Sequence, residues 1–284
     1  MKLLLAIDGS DNTYEAVRAM KYLSRADEVT LVHVLDFPKP RMMSEAARDL
    51  YAGLELAMTE DGERLIERIR KLLPLDCGPV TNRLVVGSPP NQIMATAESV
   101  RADLIVMGAR GLGPVKERLF GSISHRVLTG TPCAKLIVAA PIQSMNRVLL
   151  PLQGQADAEA AIDFLKIKPF RGPVELMLLT VHPATRQPCP VSDTAAEQFE
   201  TRALQSAQHF IDDVIDRIQA VGYQARGTAA LGSPAEAIFE QAEKVRPDLI
   251  LMGSHRRSGL TRFVLGSVSH AVLHQARHPV LVFQ

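Results

Sequence analysis

Cysteine is scarce in this sequence: Cys77, Cys133 and Cys189 are the only three in 284 residues. They stand far apart and are odd in number, which argues against a disulfide framework and fits no metal-ligand spacing; such usage suits a reducing cytosol. An excess of charge is missing too. Lys and Arg number 32 against 31 Asp and Glu, a net charge of +1, so there is no electrostatic footprint for nucleic acid or an anionic membrane. No apolar run approaches the roughly 18 residues of a spanning helix. The start, Met1 to Ile7, opens like a signal peptide, but Asp8 and Gly9 stop the apolar run early. No small-residue cleavage site follows, so a buried strand is the better reading and a soluble, cytoplasmic protein is expected. Familiar engines are absent as well: no Walker spacing, no G-x-G-x-x-G after the first strand, no G-x-S-x-G elbow, no H-E-x-x-H and no paired carboxylates.

What is present is a repeat. Gly87-Ser88-Pro89 recurs as Gly232-Ser233-Pro234, the run Asp103 to Gly108 as Asp248 to Gly253, and Gly121-Ser122-Ile123-Ser124-His125 as Gly266-Ser267-Val268-Ser269-His270. All three pairs share one offset of 145 residues, and aligning 87–138 with 232–283 gives 20 identities in 52 positions without a gap. A period of that size marks domain duplication rather than a solenoid. The boundaries expected are 1–141 and 146–284, with a short linker from Pro141 to Met145. Hydrophobic residues at 46% and charged residues at 22% allow each copy its own core.

Within the first copy, apolar runs of strand length (3–7, 29–35, 83–86, 104–107 and 135–139) alternate with helical spacing over 11–24, 43–73, 89–101 and 114–129. The second copy repeats the strand pattern at 147–152, 174–181, 226–231, 248–252 and 279–283. Alternation of this kind predicts an α/β fold: two tandem doubly wound domains, each a five-stranded parallel sheet flanked by helices. Ligands of such sheets lie beyond the carboxyl ends of the strands, where strand order reverses.

Chemistry concentrates in Gly108-Ala109-Arg110-Gly111-Leu112-Gly113 and in Gly121-Ser122. The first begins where an apolar strand ends, and glycines there permit positive φ and close approach to a ligand. The second opens a helical run whose free amides, with two hydroxyls, make an anion site. Asp8 ends the first strand on the same sheet edge, where a carboxylate can bond a ribose hydroxyl or help hold a metal ion. Tight turns alone would also explain the glycines, and helix capping would also explain Asp8.

The spacing Gly108-x2-Gly111-x9-Gly121-Ser122, with Asp8 and the run Leu31 to Val34, resembles the ATP-binding signature of the universal stress protein family over the whole chain. The resemblance implies an adenine nucleotide alpha hydrolase-like fold and ATP as ligand, with or without Mg. It places Asp8 near the ribose, the Val34 backbone on adenine, and Met107 and Gly108 along the sugar and phosphates. Gly111, Gly121, Ser122 and Ile123 would hold the phosphates, with Ser124 beside them. It also implies domain pairing through 135–139 and 279–283, with a homodimer as a further option.

The second copy departs from that pattern. Gln153 replaces Asp8 and Arg256 stands where Gly111 does. A side chain at a positive-φ position costs on the order of 1–2 kcal/mol, so a degenerate site serving mainly for pairing is expected. His125 and His270 read as packing or capping residues, and His33 as a satisfied core residue. The expected function is regulatory ATP binding in a stress response, without a catalytic residue. A weak metal-dependent ATPase using Asp8 and a structural module without nucleotide stand as alternatives.

Overall fold

In the computed structural model, residues 1–37, 45–109, 121–183, 193–254, 265–275 and 277–283 are described. The chain divides into two compact units, Met1–Pro141 and Ile142–Gln284. The first runs β1 (Lys2–Ile7), α1 (Asp11–Ala19), β2 (Glu28–Leu35), α2 (Glu45–Arg70), β3 (Val80–Val86), α3 (Pro89–Val100), β4 (Leu104–Gly108), α4 (Ser122–Gly130) and β5 (Ala134–Val138). The second runs β6 (Arg147–Leu152), α5 (Gln155–Lys166), β7 (Glu175–His182), α6 (Asp193–Ala220), β8 (Gln224–Leu231), α7 (Pro234–Val245), β9 (Leu249–Gly253), α8 (Ser267–Gln275) and β10 (Val280–Phe283).

Strand order in the first unit is β3-β2-β1-β4-β5, and in the second β8-β7-β6-β9-β10. Every pair within a unit is parallel. The expected doubly wound fold is therefore present twice. Strands β1, β4 and β5 are apolar and buried almost throughout, as strands covered on both faces must be. Edge strand β3 starts at Val80 rather than 83, because its Thr81-Asn82-Arg83 segment is polar and exposed. An apolar-run search passes over such residues. Among the described residues, no helix is long and apolar enough to cross a membrane.

Helix limits follow local chemistry. Ser10 caps α1, accepting from the Thr13 amide, and a 3-10 turn over Met20–Tyr22 replaces the last helical turn expected to residue 24. Both α3 and α7 begin on a Ser-Pro step, where proline's missing N–H is no loss. Both end on a left-handed arginine, Arg101 at φ 52° and Arg246 at φ 46°. The run expected over 114–129 contains α4 from Ser122, while 114–120 lie outside the described residues. Of the segment read as a linker, Pro141 closes the first unit and 142–145 open the second: Ile142 and Met145 are buried, and the Ser144 hydroxyl donates to Asp248 Oδ1 at 2.6 Å. Asp248 also accepts the amides of Asn146 and Arg147 at 2.9 Å. Asp103 holds the first unit's opening strand likewise through the Lys2 amide, at 2.6 Å.

Among the buried polar side chains of the described residues is one lysine. Lys135 of β5 is wholly buried, its ammonium donates to the Thr131 carbonyl, and burial pulls its pKa down from 10.5 to about 8. Between those values the unfolded chain holds a proton that the folded chain has released. Stability therefore rises with pH from about 8 to about 10.5. Lys135→Met should raise stability at pH 7 by at most ~3 kcal/mol and flatten that rise. Urea unfolding of both proteins at pH 7 and pH 10 checks this; an advantage of equal size at both values would contradict it.

Candidate functional site

β1 lies between β2 and β4, pairing Ile7 with His33 on one side and Ala6 with Met107 on the other. Order reverses at β1 and β4, so their carboxyl ends open the crevice where doubly wound sheets bind ligands. Asp8 and Gly108 both stand on that edge.

Asp8 is held firmly. Its Oδ1 accepts from the Ser10 amide at 3.0 Å, the Ser10 hydroxyl at 2.6 Å and the Thr13 hydroxyl at 2.7 Å. Its own amide donates to Thr13 Oγ1 at 3.1 Å. Gly9, at φ 77°, makes the turn that lets the carboxylate face these donors. Oδ1 thus braces the turn before α1, whose N-cap is Ser10 rather than Asp8. His33, read as a core residue, is half-buried, and its ring is satisfied with Nδ1 2.8 Å from the Ile7 carbonyl oxygen.

At the far side of the crevice, β4 and α4 are tied together. The Gly121 amide donates to the Ala109 carbonyl at 2.8 Å, closing the base of segment 110–120. The Ser124 hydroxyl donates to the carbonyls of Gly108 at 3.0 Å and Ala109 at 3.1 Å. Ser124 therefore fixes the helix start. Gly121 is the N-cap of α4 at φ −83°, with no side chain bonding the first-turn amides. Among the described glycines of the first unit, Gly9 and Gly87 stand at positive φ. Gly111 and Gly113 lie outside the described residues.

A cavity of about 90 Å³ opens between these elements, lined by Asp8, Val34, Met107, Gly108, Ile123 and Ser124 together with Ala6, Ile7, Thr13, Val32, Pro89 and Ile93. Six of the nine expected site residues thus share one cavity. Gly121 and Ser122 stand at its α4 edge without lining it, with Ser122 exposed. Six wall residues lie outside the expected site, and Ala6 and Ile7 among them belong to the first apolar run. Val32 was reachable, since it shares a strand face with Val34. Pro89 was within the repeated Gly-Ser-Pro. Thr13 and Ile93 carry no signal beyond helical spacing.

The second unit carries a cavity at the equivalent place, and there it measures about 690 Å³. Leu152, Gln153, Val181, Met252, Gly253 and Ser269 occupy the positions of Ile7, Asp8, Val34, Met107, Gly108 and Ser124. The Ser269 hydroxyl again donates to the strand-end carbonyl, of Gly253, at 3.2 Å. Where Asp8 is braced, the Gln153 amide donates instead to Asp157 Oδ2 at 3.0 Å. Arg256 and Arg257 lie outside the described residues.

Of the residues weighed as reactive, His125 and His270 each sit in the first turn of their helix, with amides donating to the carbonyls of Gly121 and Gly266. The His270 and His274 rings pack at 4.2 Å between centroids. Burial pushes the Cys133 thiol up, away from the thiolate form that reacts. Cys189 lies outside the described residues.

The sequence pattern described as the Universal stress protein family matches this chain twice, over residues 1–139 and 145–284. A universal stress protein of Mycolicibacterium smegmatis is 29% identical, with 99% of this chain and 96% of that protein aligned. The universal stress protein Rv2005c of Mycobacterium tuberculosis is 27% identical over 78% of this chain and 77% of its own length. Among solved structures, a universal stress protein from Archaeoglobus fulgidus covers 100% of this chain and 96% of its own, with a TM-score of 0.69 at 22% identity. That likeness supports the fold.

The bracing of Asp8 has a measurable consequence. Asp8→Ala removes an acceptor from three donors and should destabilise the first unit by about 1–3 kcal/mol, whereas Asp8→Asn keeps an oxygen there and should lose less. Denaturant unfolding compares them; a silent Asp8→Ala would contradict the geometry.

Proposed function

We propose a function for a chain that belongs to the universal stress protein family: its first unit binds ATP at the β1–β4 crevice, and occupancy sets which partners the protein engages under stress. The observation that carries this reading is the convergence of Asp8, Val34, Met107, Gly108, Ile123 and Ser124 on one cavity at the switch point.

Each group has a task suited to its chemistry. Asp8, with Oδ1 bonded by three donors, is a fixed acceptor whose remaining lone pairs suit a ribose hydroxyl. The Val34 backbone would take the adenine edge. At α4, Gly121 places no side chain over the amides of Ser122 and Ile123, and a helix N-terminus of that kind attracts phosphate. Gly111 is assigned to the phosphates as well. A volume of about 90 Å³ is small beside whole-ligand pockets of roughly 300–1,000 Å³. The nucleotide would therefore seat one end within the walls and lay its phosphates across the edge from Gly108 to Gly121. Mg²⁺ would arrive on the phosphates, beside the carboxylate of Asp8.

This arrangement supports binding rather than turnover. Asp8 is the one carboxylate among the described residues lining the cavity, so the regulatory reading is favoured over an ATPase. The protein would act in the cytoplasm, with the second unit serving association. We assign that association to 135–139 and 279–283, whose apolar composition suits strand or face pairing, within the chain and between two chains.

Calorimetry tests the nucleotide assignment. Gly111→Arg, which imports the residue found at Arg256, should weaken ATP binding at least tenfold, about 1.4 kcal/mol. Unchanged affinity in that variant would remove Gly111 from the site.

A further inference from the structure

We propose that the cavity of the second unit is a binding site for an uncharged, mainly apolar small molecule, independent of nucleotide binding by the first unit. Its position is that of the first unit's crevice, but its volume is about 690 Å³ against about 90 Å³. The larger figure falls within the range of small-molecule pockets, roughly 300–1,000 Å³.

Specific side chains account for the difference. Buried Ile66, Ile69 and Leu73 of the first unit recur as buried Ile211, Val214 and Ile218 of the second at the repeat offset, which aligns α2 with α6. On α2, Gly62 lies so near the sheet that a Cβ there would stand 2.8 Å from Leu84 Cδ1 and 3.1 Å from His33 Cδ2. The helix rests directly on two large side chains. In the second unit the corresponding positions are Ala207 on the helix, and Ala229 and Thr180 on the sheet. Met58 of α2 likewise becomes Ala203. Four positions thus exchange close packing of a glycine against bulky groups for a set of short side chains.

At the glycine after the first strand the backbone differs as well, Gly9 standing at φ 77° and Gly154 at φ 170°, and the position of Leu65 is taken by Phe210. A Cβ at Gly9 would meet Leu65 at 3.5 Å, whereas a Cβ at Gly154 would meet nothing within 4 Å. Space left by the short residues continues along α6, which contributes Phe199, Ala203, Ala207 and Phe210 to the walls. Those positions recur at helical spacing and make one apolar stripe. Leu179, Val181 and Ile238 face it from the strand end and α7.

Charge selects the ligand class. Asp157 lines this cavity, and its Oδ1 lies 3.3 Å from where a Cβ of Gly253 would stand. Gly253 corresponds to Gly108, the proposed start of the phosphate path, and the first unit has uncharged Asn12 where Asp157 stands. A carboxylate there repels a phosphate chain, and Gln153 offers no carboxylate to a ribose. Arg202, the cation among the wall residues, is exposed, so its charge is largely screened by water. The site therefore favours apolar bulk and disfavours anions.

The test uses N-phenyl-1-naphthylamine, an uncharged apolar fluorophore, titrated into the full-length chain. Saturable enhancement at one probe per chain is expected. Ala203→Met, which restores the first unit's side chain, and Ala207→Leu should each weaken probe binding at least tenfold while the melting transition stays cooperative. Calorimetric titration of the same variants with ATP separates this claim from the nucleotide reading, because their ATP affinity should not move. No enhancement, undiminished binding in both variants, or displacement of the probe by ATP in one-for-one competition would overturn the proposal.

Discussion

The account depends on one pairing, that of β1 with β4. The register that sets Ala6 against Met107 brings Asp8 and Gly108 to the same edge, although 100 residues of chain separate them. Two apolar strands, buried on both faces, hold that register because a shift would drive polar flanking residues inward. The turn at Gly9, the bonds from Ser10 and Thr13, and the clasp of Ser124 on β4 all act on this frame. In the second unit β6 pairs with β9 in the same sense, and the same edge is produced.

Duplication then makes the protein a comparison within itself. Backbone devices persist in both units: the Ser-Pro helix starts, the left-handed arginines, the aspartates that clasp each first strand and the serines that hold α4 and α8. What differs is the filling. Side chains between the long helix and the sheet shrink at several positions, and the braced carboxylate of Asp8 gives way to Gln153. Stability rests mainly on the shared scaffold, so the sites were free to diverge. The small crevice proposed for nucleotide and the larger cavity of the second unit are two outcomes of one architecture.

Much of this was legible in the sequence. Strand number, parallel topology and the repeat follow from apolar runs and a constant offset, because buried strands leave contiguous hydrophobic signals. Asp8 and Gly108 could be assigned to one edge for the same reason. Other features were hidden. Strand β3 was cut short because its exposed segment is polar. Gly121 was legible as a helix start, and its extended backbone caps α4. The difference in size between the two cavities was invisible, since the close contacts of Gly62 with Leu84 and His33 in the first unit leave no linear pattern. Loss of the motif at Gln153 and Arg256 was legible, whereas the walls that α6 lends to the second cavity were not.

Stoichiometry tests the central asymmetry most directly. Native mass spectrometry of the full chain with saturating ATP should show one nucleotide bound per chain. Two per chain would contradict the division of roles between the units, and none would contradict nucleotide binding at the β1–β4 crevice.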